Sequence, residues 1–242
     1  MDYAKIARFI DRNPDITPDR LLLNAGKYTE IDVKVAANTL IVREKLRHKL
    51  PEWYACKELV FINTLSFEQS SSEASAKYKA SLIDCGETVA DLTGGLGVDS
   101  YYFSKRASKV YYFERNEKLC ESTKYNFERL RADNIIISNA EISDKTVSES
   151  LSSEISTIYI DPSRREKSGK RTYAITDYEP NILEIKEKIL SAGKRLIIKV
   201  SPMLDISAAL ELLPESSVVH VVSVDNECKE LLFILEPSQS TA

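Results

Sequence analysis

The sequence is poor in the residues that form most metal sites, and it lacks long apolar runs. Its 242 residues include two histidines and four widely scattered cysteines. A histidine-rich metal site is therefore excluded, a Ser-His-Asp triad is disfavoured, and the cysteines are expected to be free thiols. No run reaches the roughly 18 apolar residues of a transmembrane helix, and the charged N-terminus lacks a signal-peptide core. We therefore expect a cytoplasmic protein that uses neither a membrane nor a metal.

An excess of positive charge is also absent. The formal net charge is -4, and the chain is 43% hydrophobic and 29% charged. These proportions are typical of a folded globular protein and exclude disorder over most of the length. Because the net charge is negative, any contact with nucleic acid must use a local basic patch rather than a globally basic surface.

The residue patterns divide the chain into two regions. Residues 1–80 have apolar spacing of helical period and proline breaks, which predicts a small helical N-terminal domain. Residues 81–242 alternate strands with helices, which predicts an α/β fold with a doubly wound, mostly parallel sheet. The last two predicted strands are close enough for a hairpin across residues 225–228, so one strand must be antiparallel. The expected sheet has seven strands, in a Rossmann-like arrangement.

Glycine is scarce, yet three of the seven glycines fall within the segment DLTGGLG at residues 91–97. The segment follows a predicted strand and precedes a predicted helix, where ligands bind in open α/β sheets. Glycines let a ligand approach the backbone, and the helix N-terminus offers free N–H groups. A tight turn needed only for packing is the alternative. The candidate ligand-binding residues are Asp91, Thr93, Gly94, Gly95 and Gly97.

Glu114 strengthens the interpretation of the glycine segment. It ends the second predicted strand, 17 residues after Gly97. An acid in that position accepts hydrogen bonds from the ribose hydroxyls of an adenosine ligand. A solvated charge at a strand end is the alternative.

The glycine spacing and the charge favour one adenosine ligand over another. The dinucleotide fingerprint G-x-G-x-x-G is not met, because counting from Gly95 places Ser100 where the third glycine should be. Asp91 and Asp99 bracket the segment with negative charge, which disfavours a pyrophosphate and favours a cation. S-adenosylmethionine carries a sulfonium and an ammonium group and no phosphate, so it is the predicted cofactor. A nicotinamide-dependent oxidoreductase is the weaker alternative.

A third candidate site is the segment IDPSRR at residues 160–165, which ends the fourth predicted strand. An acid and backbone carbonyls there could bind an exocyclic amine and orient its lone pair. Methyl transfer mainly needs such positioning and then a proton acceptor. Asp161, Pro162 and Ser163 are therefore the predicted catalytic residues, and a simple strand-ending turn is the alternative.

Two further groups of residues are predicted to bind ligands. Arg164, Arg165 and Lys170 belong to a run of five basic residues in 164–171 that could hold the phosphates of an RNA substrate. A solvated loop is the alternative there. Ala140 and Glu141 follow the third predicted strand, at the usual place for contacts to adenine.

Taken together, these motifs resemble the class I S-adenosylmethionine-dependent methyltransferases. More narrowly, the chain is similar to bacterial methyltransferases with a THUMP-like domain, themselves similar to the RNA cap guanine-N2 methyltransferases. This resemblance implies S-adenosylmethionine as cofactor and a structured RNA as substrate. It also implies that Glu114 holds the ribose, that Asp161 and Pro162 face the methyl group, and that residues 69–72 cover the cofactor. The segments that carry the narrower resemblance are residues 68–82, 91–104, 112–116, 160–165 and 224–232.

The sequence departs from that family pattern after Pro162. Many amino-methylating enzymes have an aromatic residue there, whereas this chain has Ser163 and Arg164. Family members also usually extend into a C-terminal THUMP-like domain, while few residues follow the last predicted strand. The main hypothesis is methyl transfer to an exocyclic nitrogen of a base in tRNA or rRNA. A non-catalytic RNA-binding module on the same fold is the alternative.

Overall fold

The structure is a computed structural model that describes residues 1–143, 145–164, 175–192 and 194–237, without the side chains of residues 164 and 177. Its N-terminal part is helical, as predicted. The six α-helices of this part are α1 (Tyr3–Arg12), α2 (Pro18–Leu23), α3 (Val33–Lys49), α4 (Pro51–Tyr54), α5 (Thr64–Gln69) and α6 (Glu73–Ser81). No helix within the described ranges is both long and apolar enough to cross a bilayer.

Short polar side chains fix where these helices begin. Ser72 starts α6 by accepting a hydrogen bond from the backbone N–H of Ser75. Asn63 caps α5 in the same way, through the N–H of Ser66.

The described residues of the remaining chain form nine strands. They are β1 (Thr88–Asp91), β2 (Lys109–Phe113), β3 (Ile135–Ser138), β4 (Thr157–Ile160), β5 (Ser163–Arg164), β6 (Tyr178–Glu179), β7 (Arg195–Val200), β8 (Ser216–Val224) and β9 (Glu227–Leu235). Seven of them form one sheet in the order β3-β2-β1-β4-β7-β9-β8. The first five in that order are parallel, and β9 is antiparallel to both its neighbours. The predicted seven-stranded, mostly parallel sheet is therefore confirmed.

The predicted hairpin joins β8 to β9 through a turn of two residues. Asp225 and Asn226 both have positive φ, at 53° and 61°. This conformation matches the twist of antiparallel strands, and the short polar side chains of aspartate and asparagine tolerate it. The hairpin places β9, with Glu230, beside β7 in the interior of the sheet.

Side-chain alternation along the strands covers the sheet on both faces. In β1, Val89 and Ala90 are both fully buried, but they belong to different hydrophobic clusters. The helices beside this sheet are α7 (Val98–Ser104), α8 (Glu117–Leu130), α9 (Val147–Ser150), α10 (Ile182–Ser191) and α11 (Ile206–Leu212). Helices α7 and α8 pack in the cluster of Val89, and helices α9, α10 and α11 pack in the cluster of Ala90.

The N-terminal helices share a core with one face of the sheet. The cluster that contains Val89 also contains Leu46 from α3, Trp53 from α4 and Phe67 from α5, all of them buried. The division into domains at residue 80 stays a prediction, and this hydrophobic cluster extends across it. As a result, α5 and α6 lie close to the strand ends that carry the candidate site residues.

Candidate active site

A cavity of about 990 Å³ lies at the carboxyl ends of the central strands. The strand order changes direction between β1 and β4, which is where ligands bind in doubly wound sheets. The cavity is large enough for a cofactor together with part of a substrate. The strand-end segments in its wall are residues 91–99, 113–116, 141–143, 161–163 and 199–202.

The glycine segment passes too close to other residues for side chains to fit. A Cβ at Gly94 would lie 2.1 Å from the ring of Tyr112, and one at Gly97 would lie 2.5 Å from Phe127. Gly95 differs, because a Cβ there would meet only the carbonyl of Thr93, in ordinary contact at 3.7 Å, but its φ of +54° disfavours other residues. Packing explains Gly94 and Gly97, whereas Gly95 leaves backbone exposed to the cavity.

Glu114 is tied to the glycine segment by backbone hydrogen bonds. Its Oε2 accepts from the N–H of Gly95 at 2.9 Å, and its Oε1 accepts from the N–H of Asn116 at 2.7 Å. A carboxylate has about four lone-pair positions, so each oxygen can still accept from a ligand hydroxyl. Asn139 steadies this corner by donating to the carbonyl of Glu114. The predicted proximity of the glycines and Glu114 is thus present.

Asp91 lies beneath the glycine segment, where water does not reach it. It is 1% exposed, and its carboxylate accepts from the hydroxyl of Ser100 at 2.6 Å and from the N–H of Thr93 at 3.1 Å. Burial above all, and then the charge of Asp99, outweigh the hydrogen bond from Ser100 and raise the pKa of Asp91 to about 7. The residue therefore titrates near neutral pH and would respond to a nearby cation.

The second predicted motif lies across the switch point from the glycine segment. The N–H of Asp161 donates to the hydroxyl of Thr93 at 2.6 Å, so the two motifs are in direct contact. Oδ2 of Asp161 is ion-paired with Nζ of Lys199, and Oδ1 has no hydrogen-bond partner among the described residues. Pro162 is buried, and Ser163 pairs in β5 with Glu179 of β6, a two-strand ribbon that the sequence did not indicate.

Five charged side chains continue inward from Asp161 with alternating sign. We call them the charge row: Asp161, Lys199, Glu230, Lys79 and Asp99. Lys79 lies 3.0 Å from Asp99 and 3.0 Å from Glu230, and its side chain is 1% exposed. Glu230 in turn lies 3.9 Å from Lys199. The row links α6 to three strands and to the helix that follows the glycine segment.

The charge row favours the charged forms of Asp99 and Lys199, although burial opposes the charge of each. Burial opposes the charge of Asp99, but Lys79 and Lys199 outweigh it and hold the pKa of Asp99 below its usual value. Burial likewise opposes the charge of Lys199, and the three carboxylates of the row overcome this and raise its pKa. Sequence patterns did not identify Lys79 or Glu230 as site residues, because their partners lie far away along the chain.

Helix α5 and its connection to α6 form another wall of the cavity. Leu65, Ser66 and residues 69–71 line it, and the hydroxyl of Ser71 donates to Asp99 at 2.9 Å. Ser72 does not line the cavity, and a cover over a cofactor at residues 69–72 stays a prediction. Lys79, one turn from the end of α6, anchors the same connection through Ser71 at 2.6 Å.

Four predicted site residues either lie away from the cavity or are not fully described by the structure. Ala140 does not line the cavity and instead packs against the hydrophobic core. Arg165 and Lys170 fall outside the described residues, and of Arg164 only the backbone, in β5, is described. Glu141 does line the cavity, and it pairs with Arg115 at 3.2 Å on the exposed rim.

Comparison with solved structures places this fold among methyltransferases. A candidate methyltransferase from Porphyromonas gingivalis W83 is 30% identical, with a TM-score of 0.85 over 97% of this chain. This chain spans 58% of the length of that protein. A SAM-dependent O-methyltransferase from Thermotoga maritima is 14% identical, with a TM-score of 0.51 over 73% of this chain and 72% of its own. No family model and no curated protein matches the sequence.

These likenesses define the class of fold. The chain has the Rossmann-like methyltransferase fold, with a seven-stranded mixed sheet, a C-terminal antiparallel hairpin and helices on both faces. The closer resemblance to proteins with a THUMP-like domain, and through them to the cap guanine-N2 enzymes, stays a prediction.

Proposed function

We propose that the protein is an S-adenosylmethionine-dependent methyltransferase that acts on an exocyclic nitrogen of a base in structured RNA. The single observation that carries this proposal is the convergence of the glycine segment, Glu114 and Asp161 on one cavity. Each of these had an independent alternative explanation in the sequence. Parallel strands bring all three segments to one edge of the sheet, but a turn, a solvated charge and a strand end would not require an open cavity of about 990 Å³ between them.

The cavity wall suits S-adenosylmethionine in its chemistry as well as its size. Glu114 offers carboxylate oxygens for ribose hydroxyls, and Gly95 leaves room for the ligand beside its backbone. Phe113 and Ile142 supply apolar surface for the adenine. Asp91 and Asp99 lie in the same wall, and a cationic methionine part bound beside them would favour the ionised form of Asp91.

A dinucleotide cofactor fits this wall poorly. Ser100 stands where the dinucleotide fingerprint requires its third glycine, and its side chain is fully buried and donates to Asp91. Replacing it by glycine would remove one of the two hydrogen bonds to a buried carboxylate. The hydrogen bond from Ser100 to Asp91 therefore disfavours a nicotinamide dinucleotide as the cofactor.

Asp161 would bind the methyl acceptor and accept its proton. When bound, S-adenosylmethionine supplies a methyl carbon that the adjoining sulfonium already activates. Oδ1 of Asp161, which has no partner among the described residues, would accept a hydrogen bond from the acceptor N–H and turn the nitrogen lone pair toward that carbon. Asp161 would then take the proton that the acceptor nitrogen loses on methylation and would release it to water. Pro162 and Ser163 would hold the acceptor against this carboxylate.

The cofactor assignment is tested by calorimetry with the purified chain. We expect S-adenosylmethionine and S-adenosylhomocysteine to bind, and Glu114→Ala to weaken both by about 1–3 kcal/mol, the value of hydrogen bonds to a charged group. Glu117→Ala is the matched control, because this exposed glutamate lies on α8 outside the cavity wall. No binding near a concentration of about 1 mM would reject the assignment.

The acceptor assignment is tested by incorporation of labelled methyl groups into total RNA. We expect incorporation that Asp161→Ala abolishes while binding of S-adenosylhomocysteine persists. RNA binding without incorporation would instead support the non-catalytic module, which the serine and the arginine after Pro162 favour. Incorporation that survives Asp161→Ala would remove Asp161 from the catalytic role.

A further inference from the structure

Lys199 lies in the cavity wall in direct contact with the proposed acceptor carboxylate. It comes from β7, and its side chain is 14% exposed and ion-paired with Asp161, which is 35% exposed. On its other side Glu230 lies 3.9 Å away and is itself held by Lys79. The ammonium is therefore fixed between two carboxylates and has little freedom to leave Asp161.

We propose that Lys199 is a specificity-determining residue that limits how strongly the cavity prefers a cationic sulfonium over its neutral thioether product. The proposal rests on the proposed function, because it assumes that S-adenosylmethionine lies beside Asp161. It assigns to Lys199 a role that neither the glycine segment nor Asp161 can supply.

The reason is that an unpaired carboxylate would favour the cationic cofactor over its neutral product. In a partly buried site, water screens the attraction between a carboxylate and a cation only in part. On methyl transfer the positive charge moves from the sulfonium to the acceptor nitrogen and then leaves with the proton that Asp161 accepts. The thioether product carries no charge at sulfur, so an unpaired Asp161 would bind it less tightly than the cofactor. Lys199 offsets the charge of Asp161 and leaves Oδ1 free for the acceptor.

The charge row keeps Lys199 protonated, so that its positive charge continues to offset the charge of Asp161. Lys199 faces Asp161, Glu230 and Asp99, and these carboxylates keep it protonated despite its burial. Glu230 is in turn shared with Lys79 on α6. Among the described residues, removing Lys199 would leave Asp161 without an ion-pair partner, because Lys79 is engaged by Asp99 and Glu230.

The experiment measures dissociation constants for S-adenosylmethionine and S-adenosylhomocysteine by calorimetry near neutral pH. The informative quantity is the ratio of the second constant to the first. Lys199→Met should raise this ratio about tenfold, by the charge that it uncovers. Lys199→Arg, which keeps the charge, should leave it within about twofold of the wild-type ratio. Asp161→Asn, which removes the carboxylate, should lower it.

Lys229 supplies the matched control. It also lines the cavity and is also ion-paired with a glutamate, but its partner is Glu227, two residues away on the exposed hairpin. Lys229→Met should leave the ratio unchanged, because it uncovers no carboxylate beside Asp161.

The outcomes separate this inference from the proposed function. If the wild-type chain binds neither compound, the proposed function fails and the inference fails with it. If the chain binds both and Lys199→Met weakens both equally, Lys199 only supports the shape of the wall and the inference is overturned. Should Lys199→Met not fold, Asp161→Asn decides, since an unchanged ratio in that variant also overturns the inference.

Discussion

Each side of the cavity is stabilised by a different kind of contact. On the side proposed to bind the cofactor (the cofactor side), Glu114 is fixed by backbone N–H groups, one of them 19 residues away at Gly95. On the side proposed to bind the methyl acceptor (the acceptor side), Asp161 is fixed by Lys199, within a charge row whose partners Lys79 and Glu230 are 151 residues apart. Backbone geometry builds the first side and paired buried charges build the second. The two sides should therefore fail in different ways when a residue is replaced.

The largest effect is expected from removing Lys79, the more deeply buried of the two lysines in the charge row. Lys79→Met leaves Asp99 and Glu230 buried without their shared partner. Uncovering buried charges in this way typically costs about 3–5 kcal/mol, because neither carboxylate can regain its hydration. We expect a loss of that size in the free energy of unfolding, measured by urea denaturation.

The neighbouring lysine on the same helix is the control for Lys79. Lys77 pairs with Glu73 one turn away, and its side chain is 55% exposed. Exposed pairs of this kind contribute about 0–1 kcal/mol, so Lys77→Met should barely change stability. Equal losses in the two variants would show that the charge row does not hold the acceptor side.

The matching test on the cofactor side adds a single methyl group. Gly94→Ala would place its Cβ within 3.0 Å of three ring atoms of Tyr112, a fully buried residue. Overpacking of this kind costs about 1–3 kcal/mol, less than the loss expected from Lys79→Met. Urea denaturation of Gly26→Ala provides the baseline, because no atom lies within 4 Å of a Cβ at Gly26. A loss no greater than that baseline would mean that Tyr112 moves aside.

The same difference explains what could be predicted from the sequence. The strand that ends at Asp91, the glycines after it and the acid at Glu114 depend on neighbours in sequence, so the motif could be read directly. Lys79 on α6 has the ordinary pattern of a helical lysine, and Glu230 that of a strand residue near a turn. Only the packing of α6 against the sheet makes them partners, and no local pattern encodes that contact.

Two smaller differences have the same origin. Ala140 follows β3 as predicted, but the chain turns it toward the core, since the direction of a residue beyond a strand depends on the packing of the loop. The ribbon of β5 and β6 pairs two residues with two, which is too short to leave a periodic signal. Helices and strands that are long enough to show a periodic pattern were therefore predictable. Pairings of a few residues that are distant in sequence were not.

The titration of Asp91 gives the smallest expected effect. Its carboxylate accepts hydrogen bonds from Thr93 and Ser100. Burial raises its pKa most, and the charges of Asp99 and Asp161 raise it further. Its pKa is about 7 in the folded chain and about 3.9 in an unfolded one. Between these values the folded state binds a proton that the unfolded state has lost. The contribution of Asp91 to stability is therefore full at low pH and is lost as the pH rises through 7.

The prediction follows from comparing wild type with Asp91→Asn, which cannot titrate. From about pH 5 to pH 7 the wild type should lose stability relative to the variant by about 1 kcal/mol per pH unit, and the difference should level off above that range. Urea denaturation at each pH measures it. A flat difference for Asp91→Asn would mean that Asp91 is already ionised at low pH, so that its burial would not keep a proton on the carboxylate.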